Sequence, residues 1–351
     1  MEDTAQKTNT LNPKPFPNYP LAELHAHLST SISPEVLWQI AHDSGFKLPK
    51  KDYIEFEQFV QLSDKRRMPL NEYFKKIYTP ILHPLSSGVH AVEQGAYHTI
   101  AGAYRRNGTT LMELRFNPMK HNGHNSIDLD HIIMAMLRGM ERVLLAYPQL
   151  SAGLILSMDR TFPLEQNAII IDKAIKYHRR GVVGIDVSGP GDPGFHFKDY
   201  TAVFNKARKA GLKVTVHAGE QRDANDIWDA LEHVQPARIG HGILAAYDKP
   251  LMKKLAKQGT VLEVCPLSNL ATEAVENIDE LKFILRAFVE NKVRLTINTD
   301  WPEIIEDCQL QKQYAFLLDK DILSEGELSE CTRTAFEASF IPKPGGLDAY
   351  L

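Results

Sequence analysis

His25 and His27 flank Ala26 just past the apolar run Leu21–Leu24. In an extended strand, residues i and i+2 point to the same face, so both imidazoles emerge together. Such a pair is half of a site for a first-row metal. The other half stands far downstream, where His217 ends Val-Thr-Val-His and Asp300 ends Leu-Thr-Ile-Asn-Thr-Asp. Among 14 histidines a His-x-His pair arises easily by chance; what gives this one weight is that all four residues close short β-branched or apolar runs. Three imidazoles and a carboxylate suit Zn²⁺ and leave room for a water. Water on such an ion loses a proton near neutral pH, giving a nucleophile without a strong base. This is the pattern of a metallohydrolase.

Two more residues complete a mechanism. Glu220 lies three residues past His217, on the loop rather than in the strand, where it can face substrate and protonate a ring nitrogen. His241, in Arg238-Ile239-Gly240-His241-Gly242, ends the next run. An imidazole there can orient an attacking hydroxide and stabilise developing negative charge.

Eight short runs would position these groups: Leu21–Leu24, Thr110–Phe116, Ala152–Ser157, Val182–Val187, Leu212–His217, Ala237–Gly240, Thr260–Val264 and Val293–Ile297. Helical patterns such as Phe204–Ala210, Pro250–Lys257 and Ile278–Asn291 separate most of them. Eight alternating units predict an α/β chain folded as a TIM (β/α)₈ barrel, whose catalytic side chains gather at the C-terminal ends of the strands. Roughly 85 residues separate the first two runs, far more than one crossover helix needs. Helical segments over Pro34–Ser44, Phe56–Leu62, Asn71–Tyr78 and His90–Arg106 fit there, which predicts a helical insertion over about 33–106 and a candidate lid. Residues 1–19, rich in proline, read as a flexible tail, and 20–345 as a single barrel domain.

Composition excludes other classes. A formal net charge of -4 makes no electrostatic case for nucleic acid or an anionic membrane. No run nears the roughly 20 apolar residues of a membrane span. The opening residues lack the apolar core of a signal peptide. Cys265, Cys308 and Cys331 have no metal-ligand spacing, and their odd number argues against a disulfide framework. The expectation is a cytoplasmic enzyme acting on a small molecule.

In sequence the chain resembles the adenosine/AMP deaminase family of the amidohydrolase superfamily. The resemblance rests on Glu23-Leu24-His25-Ala26-His27-Leu28, Thr215-Val216-His217-Ala218-Gly219-Glu220, Arg238-Ile239-Gly240-His241-Gly242, Leu262-Glu263-Val264-Cys265-Pro266-Leu267-Ser268-Asn269 and Asn298-Thr299-Asp300. Glu113-Leu114-Arg115-Phe116-Asn117-Pro118 and Glu337-Ala338-Ser339-Phe340 also match family segments. It implies one Zn²⁺ per chain, held by His25, His27, His217 and Asp300. It implies that Glu220 protonates N1 of a purine, that His241 and Asp300 position the attacking hydroxide, and that ammonia leaves from C6. Gly189 would offer its backbone N–H to purine N3.

Two positions depart from the family pattern, and both read substrate. The first motif normally continues Leu-Asp-Gly and reads the ribose side; here it runs Leu28-Ser29-Thr30. The last normally reads Thr-Asp-Asp-Pro, with the second Asp on N7; here Trp301 follows Asp300. An indole N–H donates only. Kept chemistry with an altered substrate follows. The Lys65-Arg66-Arg67 run offers a possible phosphate grip if the insertion overhangs the site, or else a solvated turn. Two other readings stay open: a metallohydrolase acting on another aminated or amide heterocycle, and a barrel that binds a nucleoside-like ligand without turnover. Glu220 and His241 weigh against the second, since a binding module needs neither.

Overall fold

The computed structural model describes residues 17–123, 128–192, 194–220 and 224–342. Most of the expected tail, residues 343–345 and Pro193 therefore lie outside the described residues. Eight parallel strands run in sequence order around one sheet: β1 (Leu21–His27), β2 (Thr109–Phe116), β3 (Ser151–Asp159), β4 (Val182–Ser188), β5 (Lys213–Ala218), β6 (Arg238–His241), β7 (Val261–Val264) and β8 (Leu295–Ile297). Each overlaps one of the eight predicted runs. They are buried on both faces, by side chains inside and helices outside, so their sequences read as apolar runs rather than alternation.

The barrel closes just past β8. Asp300 N donates to His25 O at 2.8 Å, and His27 N donates to Asp300 O at 3.3 Å. Leu24 N donates to Asn298 Oδ1 at 3.1 Å, and the two oxygens of Glu23 accept from His25 N and Thr299 N. The seam that shuts the sheet is thus the seam that brings Asp300 to the two β1 histidines.

Helix ends follow local chemistry. Pro34–Ser44 starts at Ser33, whose side chain accepts from Val36 N, and stops at Gly45, where φ is 67°. Glu325–Ala338 opens with a capping box between Ser324 and Glu327. The predicted 33–106 insertion divides in two. Its last helix, Val89–Asn107, packs on β2 and on the next barrel helix, Asp130–Ala146, so it is the ring helix of the first unit. The inserted part is 28–88. Within it, Leu70–Tyr73 passes into a wider, π-type stretch, Phe74–Leu82, around Pro80, which has no N–H to give a regular turn. Leu62 N donates to Ile304 O and Met68 N to Ala271 O, so the insertion sits on the loops that follow β8 and β7.

The two ring helices meet closely at Gly139, where a Cβ would stand 2.4 Å from Glu93 O. Backbone cannot give way as a flexible side chain does. Gly139→Val is expected to lower unfolding free energy by about 1–3 kcal/mol, read as a lower denaturant midpoint at unchanged slope.

Candidate active site

His25 and His27 end β1, His217 lies in β5, His241 ends β6, and Asp300 follows β8. All reach the same mouth of the barrel. His27 Nε2 and His217 Nε2 face each other at 3.2 Å. Asp300 Oδ1 stands 3.6 Å from His25 Nε2 and 3.4 Å from His27 Nε2. The His241 ring centre lies 4.9 Å from that of His25 and 5.3 Å from that of His217. The four predicted ligands and His241 converge.

Their inner partners decide what the rings present. His25 Nδ1 lies 2.8 Å from Glu263 Oε2, and His217 Nδ1 lies 3.1 Å from Asp186 Oδ1. Against the upward push of burial, Arg115 and Arg238 hold Glu263 down to about 2, and His217 and Arg115 do the same for Asp186. An ionised carboxylate can only accept, so each ring donates from Nδ1 and turns a lone pair outward at Nε2. That leaves His25 Nε2 buried with no hydrogen-bond partner, beside other ring nitrogens. Bare lone pairs this close repel unless a cation lies between them. Ligands about 2.05 Å from a tetrahedral ion stand about 3.3 Å apart; the spacings here are 3.2–3.6 Å. Burial holds His25 and His27 well below the usual histidine range, so both are neutral, the ligating form. The donor set fits a divalent metal.

The backbone at the site is bent to this end. His241 and Asp300 both have φ near 61°, a left-handed conformation that non-glycine residues adopt at a cost. Gly240 leaves room for a ligand ring, since a Cβ there would stand 2.8 Å from His25 Cε1. Asn269 Nδ2 donates to His241 Nδ1 at 3.0 Å, which leaves the ring proton on Nε2, facing the site. Ser268 Oγ donates to Asp300 Oδ2 at 2.6 Å. Burial draws His241 down to about 4 and pushes Glu220 and Asp300 up. Glu220 Oε2 lies 3.9 Å from His241 Nε2. A carboxyl whose acid form burial favours stands beside a neutral imidazole.

Above these groups opens a pocket lined by Ser29, Gly189 and Trp301 and roofed by Leu70, Phe74 and Tyr78 of the insertion. Ser29 is not free to read a ligand. His121 Nδ1 donates to Asn117 O, so its Nε2 takes the Ser29 proton at 2.7 Å, while Ser86 Oγ donates to Ser29 at 3.0 Å. Trp301 is wedged against Tyr73 and Phe74, with ring centres 4.9 and 6.2 Å away. Of the two readings of the 65–67 run, the phosphate grip finds no support, since none of its residues lines the pocket. Arg66 donates to the carbonyls of Phe59 and Gln61, and Arg67 to those of Val275 and Glu276. Both guanidiniums bind carbonyls at or just past helix ends and fasten the insertion down, and Lys65 is exposed.

Sequence reasoning assigned no role to Glu263, Asp186, Arg115, Ser268 or Asn269, which orient the central groups. Most stand inside the motifs quoted above. The available signal was a charged residue in an otherwise apolar strand.

Comparison with known proteins shows the family and the fold. A family model described as Adenosine deaminase matches residues 20–348. An adenosine deaminase of Shewanella denitrificans is 30% identical over 92% of this chain and 94% of its own; one of Shewanella loihica is 31% identical over the same shares. Among solved structures, an adenine deaminase from Arthrobacter aurescens superposes with a TM-score of 0.78 at 22% identity, over 92% of this chain and 94% of that one. An N6-methyl-AMP deaminase from Arabidopsis thaliana gives 0.77 at 25% identity, covering 92% and 93%. A further neighbour of the same score and identity, with the same coverage, is an ADAL–IMP complex.

The Asp186–His217 bond yields a test. Asp186→Asn keeps the shape but weakens the hold on Nδ1, and metal affinity is expected to fall about 10–100-fold, measured by chelator competition.

Proposed function

The chain belongs to the adenosine deaminase family, and we propose that His25, His27, His217 and Asp300 hold one zinc ion at which its reaction takes place. The protein is a metal-dependent hydrolytic deaminase of a 6-aminopurine compound. The observation that carries the site assignment is the meeting of the His25, His27 and His217 ring nitrogens and Asp300 at one mouth, with the outward nitrogen of His25 buried and unpartnered. When bound, the ion makes solvent acidic enough to supply a hydroxide nucleophile near neutral pH.

The protein's own groups do the rest. Glu220, whose acid form burial favours, gives its proton to ring N1 as water oxygen adds to C6. His241 Nε2–H orients the incoming oxygen and offsets its negative charge. Asp300, pinned by Ser268, takes part in moving the proton of that water to the departing amine. The C6–N bond breaks, ammonia leaves, and the 6-oxo product remains. Gly189 borders the pocket with φ at 96°, and its backbone N–H is proposed to meet the purine. Ser29 acts at one remove, by fixing the floor of the lid, and Trp301 supplies an aromatic wall. The known complex of a structural neighbour with IMP supports a purine-like small molecule as substrate.

Purified protein assayed by ultraviolet absorbance against adenosine, adenine, AMP and N6-methyl-AMP should release ammonia from at least one of them. Retention of zinc with no turnover on any 6-aminopurine would contradict the reading. Glu220→Gln is expected to lower kcat by about 10²–10⁴-fold with metal content unchanged; equal rates would remove Glu220 as the acid. Because the acid form is needed, kcat/KM should fall as pH rises through the elevated pKa of Glu220, and that limb should be absent in the variant. Chelation should abolish turnover and added Zn²⁺ restore it.

A further inference from the structure

Arg160 stands just past β3 and is almost fully buried, yet it is not among the residues that line the pocket. A charge taken out of water needs a full set of partners, and this one has them. Its Nη1 and Nη2 donate to the two oxygens of Asp226 at 3.3 and 3.1 Å, a fork matched to a carboxylate. Nη2 also donates to His217 O. The guanidinium packs over Phe195 and Phe197, 5.1 and 5.3 Å from the ring centres. The base of this arm is rigid. Arg160 N donates to Ser188 O at 3.0 Å, which ties it to the end of β4. Asn167 grips Asp159 on both sides, its Oδ1 accepting from Asp159 N and its Nδ2 donating to Asp159 O.

What the arm reaches is the turn that carries Glu220. Asp226 lies in the first turn of the helix Asn225–His233, and its Oδ2 also accepts from Gly219 N at 3.3 Å. Arg160 and Asp226 therefore hold the backbone at His217 and Gly219, just before Glu220. The opposite edge is held from the end of β6, where Gly242 N donates to Ala218 O and Leu244 N to Gly219 O, both at 3.0 Å. At Gly219 φ is 65°, and a Cβ would stand 2.4 Å from Ile227 Cδ1, so only glycine makes this turn.

The Glu220 carboxyl has no anchor of its own. Among the described residues it makes no hydrogen bond; His241 Nε2 stands 3.9 Å away, beyond that reach. Where the acid points is set by the backbone behind it. Proton transfer needs heavy atoms about 2.6–3.2 Å apart, and a misplacement of about 1 Å can cost about 10²-fold in rate. Buried ion pairs add little stability, so direction is what a clamp of this kind supplies. A lysine could not replace it, because a point charge cannot span both Asp226 oxygens and His217 O.

We propose that Arg160 is a positioning residue for Glu220: together with Asp226 it clamps the turn at Gly219 and so fixes where the acid meets the ring it protonates. This rests on the deaminase reading above. The test is a double-mutant cycle on the zinc-loaded enzyme, with the aminopurine that the wild type turns over fastest. Arg160→Lys keeps the charge and loses the fork, whereas Asp226→Asn keeps the shape and loses the charge. Each should lower kcat by about 10–100-fold, with zinc content unchanged and KM within about 3-fold of wild type. In a Glu220→Gln background the same substitutions should cost less than about 3-fold, because the group they position no longer gives a proton. Equal losses in both backgrounds would overturn the proposal. So would a raised KM at unchanged kcat, or a loss of zinc that accounts for the fall in rate. Should Arg160→Lys fail to fold, the cycle with Asp226→Asn decides by the same outcomes. A wild type that deaminates no aminopurine would instead overturn the functional reading, and the role of the clamp with it.

Discussion

A single buried carboxylate ties the barrel to its chemistry. Glu263, on β7, accepts from Arg238 Nε and Thr215 Oγ on one oxygen and meets His25 Nδ1 and Arg115 on the other. Five strands therefore meet at one residue. Burial alone would raise its pKa, but Arg115 and Arg238 bring it down to about 2. The network continues outward: Arg115 reaches Asp186, which holds His217, and Arg238 reaches Glu113, which accepts from Ser339 Oγ. Two arginines against Glu263, Asp186 and Glu113 leave one negative charge beside the histidines, an arrangement that favours a cation there. Buried ion networks are weak sources of stability because desolvation offsets their attraction. What this one supplies is direction, since it fixes which nitrogen of His25 and His217 is bare.

The strands and the residues proposed as ligands were legible in the sequence for the same reason. A parallel barrel writes each strand as a short apolar run, and a polar residue that ends such a run faces the mouth. His25, His27, His217, His241 and Asp300 all satisfy that rule. Pairing between strands was not legible, because nothing in β2 or β7 alone says that Arg115 will meet Glu263. Nor was the division of the long insertion, where Val89–Asn107 carries the same helical pattern as its neighbours but packs in the ring. The basic run at 65–67 read as free charge. Its two guanidiniums are consumed by carbonyls that only the fold brings near, such as Val275 O and Glu276 O.

The pocket has two unlike sides. Phe74 and Trp301 make one of them aromatic, and Tyr73 behind them holds the indole in place. Asn117, Lys120 and Asp159 make the other polar. A flat heterocycle suits the first, and directional hydrogen bonds suit the second. The insertion roofs both, and its wide turn around Pro80 is what carries Tyr78 to within 3.4 Å of Ser29.

The two departures from the family pattern sit where change is cheap for the metal centre. Ser29 is two residues past His27, and Trp301 one past Asp300. Neither contacts the Glu263 network. Altering His25, Asp300 or Gly240 would disturb the seam that closes the barrel, the left-handed turn at Asp300, or the space for a ligand ring. Altering the next residue along only redraws the wall above. Reaction and recognition are separated by one or two positions in the chain because strand ends are held by the whole sheet, whereas the residues just beyond answer only to the loop and to the lid packed over it.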